Sequence, residues 1–158
     1  TGGSITRDSI SAMPIYLKNN QKSIRLDRRK IRRELNRALL LLGCQTAEVS
    51  VLFVGDRRMR SLNFRFRRKD KTTDVLSFPM SGGQSAVAGS VLGDIVVSVP
   101  RAAIQASQYD VSLDDEMLRL LLHGLLHLLG YDHEINEYQK RRMKKKEKEL
   151  LDAVKAMA

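Results

Sequence analysis

Residues 91–100 read Val-Leu-Gly-Asp-Ile-Val-Val-Ser-Val-Pro. Apart from Asp94 and Ser98 the run is apolar or glycine, and its β-branched content predicts a buried strand over Val91–Val99. Gly93 inside it marks a bulge or a close backbone approach. Pro100 has its φ preset for a first helical turn, so a helix is expected directly after the strand, reaching about Tyr109. Upstream, Thr73–Phe78 (TDVLSF) is a strand closed by Pro79, and Ser81–Ser90 is a Gly/Ser/Ala-rich loop. Further back, Glu48–Val54 alternates with Val49, Val51 and Phe53 on one side, the pattern of a half-buried strand. Asp56 then opens a short helix carrying Met59 and Leu62, and Arg65–Lys71 is a polar, basic connection. Met13–Asn19 reads as a first strand, and Asp27 caps a helix to about Leu42, where Gly43 stops it. In that helix Ile31, Leu35, Ala38, Leu39 and Leu42 share a face, with Arg28, Arg29, Arg32, Arg33 and Arg37 largely opposite. Downstream, Ser112 or Asp114 caps a leucine-rich helix ending at Gly130, and a last helix runs from about Ile135 towards Leu151. The expected architecture is α+β: a single small domain, a four-stranded mixed sheet packed with about five helices.

Composition agrees with such a domain. The chain has 158 residues, 42% hydrophobic and 29% charged, enough apolar side chain for a core and too much for a disordered tail. The segment Leu118–Leu129 is broken by Arg119, His123, Gly124 and His127, so no stretch reads as a membrane span. A net charge of +10 points to a polyanionic partner, with RNA or DNA leading. A single cysteine, Cys44, makes no internal disulfide, which suits a reducing, cytoplasmic compartment. Residues 1–12 lack the layout of a secretion signal and read as a cloning remnant, with Met13 as native start and 13–158 as one domain.

All three histidines fall within His123-Gly-Leu-Leu-His127-Leu-Leu-Gly-Tyr-Asp-His133. His123 and His127 lie one helical turn apart on one face, a spacing that lets two imidazoles bind one ion. Gly130 can end the helix and turn the chain so that His133 returns to them. Three neutral imidazoles with an open fourth position describe a catalytic metal site; zinc is the first expectation, and nickel or another divalent ion also suits imidazole. A zincin peptidase carries its glutamate base directly after the first histidine, where this chain has Gly124. Asp132 and Glu134 read as solvated acids rather than groups that orient an imidazole.

The segment HGLLHLLGYDH, with TDVLSF at 73–78 and LGDI at 92–95, resembles the YbeY family of endoribonucleases and ribosomal RNA maturation factors, over most of the chain from Met13. The family stretch N-x-x-Y-R-x-K-D-x-P-T-D has its counterpart in Asn63 to Asp74, with Phe66 in place of tyrosine and Thr72 in place of proline. The tail Met143–Leu150 is similar to the family's last helix, where a methionine is followed by glutamates. The resemblance implies a small α+β fold and a metal site of His123, His127 and His133, with Arg67 as the functional arginine. It also implies action on single-stranded RNA in 16S ribosomal RNA 3′-end maturation and ribosome quality control. The implied partners are ribosomal RNA, the small ribosomal subunit and ribosomal and assembly-GTPase proteins, with no membrane.

These parts suffice for phosphodiester cleavage. Zinc bound by imidazoles lowers the pKa of a bound water to about 7. The resulting hydroxide could attack phosphorus, or deprotonate the RNA 2′-hydroxyl; the residues leave both open. Arg67 offers a planar fork for phosphate oxygens, Arg65 and Arg68 read as solvated, and Asp74 either meets a ligand histidine or caps a turn. Asn63 and Ser77 read as structural. Basic runs at Arg28–Arg37 and Lys140–Lys148 are usual for solvated faces and could also follow an RNA backbone. Two alternatives stand beside the nuclease: a non-catalytic ribosome-assembly factor with a structural metal, and another metal-dependent hydrolase.

Overall fold

The structure, a computed structural model, describes residues 15–80, 90–132 and 134–157. Residues 1–12, expected to be a cloning remnant, Met13, most of the expected loop at Ser81–Ser90 and His133 lie outside the described residues. Four strands and five helices are formed among those described. In chain order they are β1 (Ile15–Asn19), α1 (Arg28–Leu41), β2 (Glu48–Val54), α2 (Asp56–Arg67), β3 (Val75–Pro79), β4 (Val91–Ser98), α3 (Val99–Tyr109), α4 (Leu113–Leu128) and α5 (Glu137–Ala156).

The sheet order is β1-β2-β4-β3. β1 and β4 run parallel to β2, with Leu17 opposite Val51 and Val51 opposite Ile95, and β3 runs antiparallel to β4, with Ser77 opposite Ile95. The mixed sheet of the α+β expectation is therefore present. Because strand side chains alternate, Val51, Phe53, Ile95 and Val97 all face one side, and α1, α3, α4 and α5 supply the rest of this main core. Val54, Leu76 and Val96 face the other side, where Met59 and Leu62 of α2 cover them.

Local chemistry fixes the helix starts. Asp27 accepts a hydrogen bond from the Lys30 amide and Ser112 from the Asp115 amide, so Ser112 is the cap of α4. Asp114 sits in the first turn of α4 and pairs with Lys30 at 3.0 Å. Ser98 caps α3 through the Arg101 amide and donates its hydroxyl to Asp56 at 2.6 Å, tying the end of β4 to the start of α2.

Three boundaries differ from expectation, one being the end of α5, which runs past Leu151 to Ala156. α2 continues through Arg65, Phe66 and Arg67, placed by the sequence reading on a connection. The helix closes only at Arg68, which adopts a left-handed φ of 58°, while buried Asn63 donates to the Lys71 carbonyl and folds the chain back. β3 begins at Val75 rather than Thr73; the Asp74 carbonyl accepts from the Ser98 amide at 2.9 Å, and the Asp74 carboxylate takes the Val75 amide on the edge away from β4 at 2.7 Å. Pro79 is admitted to the strand because β3 is an edge strand.

Gly93 fulfils both readings made of it. The register with β2 shifts there, and φ is +139°. A Cβ at Gly93 would collide with the Phe78 carbonyl oxygen and come within 3.1 Å of Leu128 Cδ2. Gly93→Ala should therefore combine backbone strain with overpacking against main chain that cannot yield, a loss of about 2–4 kcal/mol. Urea denaturation should show a lower midpoint at unchanged slope; an unchanged midpoint refutes this account.

Candidate functional site

α4 carries His123 and His127 to one face, with ring centroids 4.8 Å apart and planes at 70°. Both rings are half-buried in the wall of a groove of about 810 Å³. Across from them stand Ser77 and Phe78 of β3 and Phe66 and Arg67 of α2, and Asp132 and Glu134 close the rim. The sequence-predicted Arg67 and the two helical histidines thus share one cavity. Among the described residues no group of three metal-binding side chains forms, and His133 is outside them.

The histidines reach the groove because α4 lies unusually close to the sheet. A Cβ on Gly124 would approach Ile95 Cγ2 at 2.8 Å and Ser77 Oγ at 3.2 Å. Ser77 also donates its hydroxyl to the Gly124 carbonyl at 3.3 Å. The position where a zincin holds its base is pressed against β3 and β4, so a glutamate has no room there.

Behind His123 is a buried polar chain that the sequence reading missed. His123 Nδ1 lies 3.1 Å from Glu147 Oε2 of α5. Arg119 joins the two acids, donating to Glu147 at 3.1 Å and to Glu116 at 2.6 Å, and Gln105 of α3 donates to Glu116 at 2.7 Å. Burial pushes the Glu147 carboxyl up, but the hydrogen bonds and charges of His123 and Arg119 together outweigh it and hold the group below its ordinary value. Arg119 is raised, chiefly by its hydrogen bond to Glu116, and stays charged. A carboxylate on Nδ1 is the arrangement that fixes the tautomer and basicity of metal-binding histidines. A signal existed: Met143, Glu147, Leu150 and Val154 form the buried stripe of α5, and a carboxylate among those apolar positions requires a partner.

Arg67 occupies the last turn of α2 and donates to Glu134 across the groove mouth at 3.3 Å. Glu134 is therefore engaged, not merely solvated, while Asp132 accepts from the Glu134 amide at 2.8 Å. Asp74 caps its turn through Val75, which corresponds to the second of its two alternatives. Phe66 and Phe78 meet edge to face at 5.1 Å, with the Arg65 guanidinium 5.3 Å above the Phe66 ring.

A family model described as Endoribonuclease YbeY matches residues 16–155. The chain belongs to the YbeY family. It is 42% identical over 141 residues to the protein named endoribonuclease YbeY of Syntrophus aciditrophicus (strain SB), with 88% of each chain covered. It is 45% identical over 141 residues to the one of Anaeromyxobacter sp. (strain Fw109-5), covering 89% of this chain and 72% of that relative. The fold is similar to the solution structure of TM1509 from Thermotoga maritima, with a TM-score of 0.64 at 28% identity over 89% of this chain and 88% of that one. The YbeY motif HGLLH thus coincides with the stretch of α4 that leans on the sheet.

Gly124→Ala should cost about 1–3 kcal/mol, since the added methyl must displace Ile95 or lift α4. A melting temperature equal to that of the unmodified protein would show that α4 is not pinned at this point.

Proposed function

We propose that this chain is a single-strand-specific, metal-dependent endoribonuclease that acts in the cytoplasm on 16S ribosomal RNA, in 3′-end maturation and ribosome quality control. The observation that carries the reading is the groove shared by the forked cation of Arg67 and a histidine pair, of which His123 is backed by a carboxylate. Membership of a family named for endoribonuclease YbeY supports RNA as substrate. No helix among the described residues is long and apolar enough to cross a membrane.

The donor set fits a divalent ion. His123 turns Nδ1 to Glu147 and its other ring nitrogen, Nε2, away from it, His127 stands one turn along the same face, and His133 comes six residues later in the sequence. Zinc, or nickel or another divalent ion, held by these three residues would supply Lewis acidity and an acidified water beside the phosphate. Glu147 holds the His123 ring in orientation and Arg119 holds Glu147. Arg67 is held by a single exposed contact to Glu134, and such pairs contribute only about 0–1 kcal/mol. A substrate phosphate can take over this guanidinium through two parallel hydrogen bonds and be neutralised by it. Phe66, 55% exposed, offers its ring to an unstacked base, a contact worth about 1–3 kcal/mol that a paired strand does not provide. The tyrosine-to-phenylalanine departure keeps that face.

Zinc-loaded protein should cut an end-labelled single-stranded RNA, with activity lost on chelation and in His127→Ala. Intact RNA beside folded, metal-loaded protein refutes an autonomous nuclease, and the same assay on small ribosomal subunits then separates a partner-dependent enzyme from a binding factor. Arg67→Ala should lower kcat/KM by about 10²–10³-fold, with Arg67→Lys recovering only part because it lacks the fork.

Glu147→Ala should weaken metal binding about 10- to 100-fold in chelator competition, a readout independent of catalysis. Unchanged affinity would separate the polar chain from the metal.

A further inference from the structure

α1 turns Ile31, Leu35, Ala38 and Leu39 into the core, and the opposite face is nearly all arginine. Arg28, Arg29, Arg32, Arg33 and Arg37, with Leu40, line a shallow surface concavity of about 460 Å³. They form two columns along the helix, Arg28-Arg32 and Arg29-Arg33-Arg37, each step of four residues rising about 6 Å. Among the described residues none of Arg28, Arg29, Arg33 and Arg37 joins an ion pair, whereas Lys30, Arg60, Arg67 and Arg119 all do. Arg32 donates to the carbonyl of Ile15 in β1, which bends the patch towards that edge of the sheet. Of the carboxylates near α1, Asp114 is on Lys30 and Asp27 on the helix amides, while Glu34 is half-buried on the Lys30 side and feels the charges of Lys30 and Arg33 without forming an ion pair with either.

We infer that this face is a second RNA-binding site, which grips the sugar-phosphate backbone at a distance from the histidine groove. The inference rests on the reading of RNA as the substrate. The groove lies along β3 and α1 packs beside β1, so the two sites flank opposite edges of a sheet about 14 Å across. Planar guanidinium forks repeated at one-turn intervals suit a chain of phosphates, and the patch carries no aromatic or acidic residue to read bases or a basic partner. A single strand held on α1 would tether a long RNA while its other part lies in the groove.

The test is binding of an oligouridylate of about 30 nucleotides with chelator present throughout, so that affinity is read without cleavage. Arg29→Gln, Arg33→Gln and Arg37→Gln are combined in one variant, glutamine being a good helix former. A control variant removes equal charge from α5 by Lys140→Gln, Lys144→Gln and Lys145→Gln. The α1 variant should bind about tenfold more weakly, and its slope of log affinity against log salt should fall by about 2, since each lost phosphate contact on a single strand removes about 0.7. The control should change less on both counts. Equal losses in the two variants would overturn the site in favour of diffuse charge. Unchanged binding by a folded α1 variant, while the unmodified protein binds, would remove the patch and leave the groove reading intact. No RNA binding by the unmodified protein would remove both. Competition by polyglutamate as strong as by oligouridylate would assign the face to acidic protein and overturn the RNA assignment.

Discussion

The spacing between α4 and the sheet is the constraint on which the rest depends. Two glycines set it: Gly124 on the helix, against Ile95 and Ser77, and Gly93 on β4, against Phe78 and Leu128. Removing both Cβ atoms lets a helix flanked by Leu122, Leu125, Leu126 and Leu128 sink onto β3 and β4 and bury those side chains completely. His123 and His127 come down with it, half-buried at the β3 edge instead of projecting into solvent. A packing decision made by residues with no side chain thereby places the polar ones.

Burial at that depth has an electrostatic consequence. Glu116 and Glu147 are almost fully buried, and their charges are tolerable only because Arg119 bridges them and Gln105 and His123 supply further hydrogen bonds. Apolar residues of similar volume often stabilise a core as well as a buried ion network does. What they cannot do is accept a hydrogen bond from an imidazole. The network makes sense as the support of His123, reaching it from α3, along α4 and through α5, so that three helices must be in register before the ring is oriented.

The periodicities that distinguish strand from helix were legible for every element, because Val49/Val51/Phe53 and Ile31/Leu35/Ala38 alternate as their buried faces require. Ends were less legible: Asn63 and Arg68 end α2 through a side-chain bond to the Lys71 carbonyl and a left-handed φ, neither of which a hydrophobic period reveals. Within the site, His123 and His127 were readable since a single helix sets their relation. Glu147 was not, since its meaning depends on α5 crossing α4, which no local pattern encodes. Gly124 was read as a missing base, when its positive role is to be small.

The positive charge of the chain divides by environment. Arg119 is enclosed between two carboxylates and is committed to structure. Arg67 is held by one solvated contact, weak enough to exchange for a better-shaped anion. The arginines of α1 form no ion pair among the described residues, Glu34 alone lying near enough for Arg33 to be felt, and they repel one another, a cost the fold bears on a helix whose opposite face is apolar. That graded commitment follows from where the core lets water in. From Arg119 through Arg67 to the arginines of α1, less of the charge is answered by protein and more is left for an external polyanion.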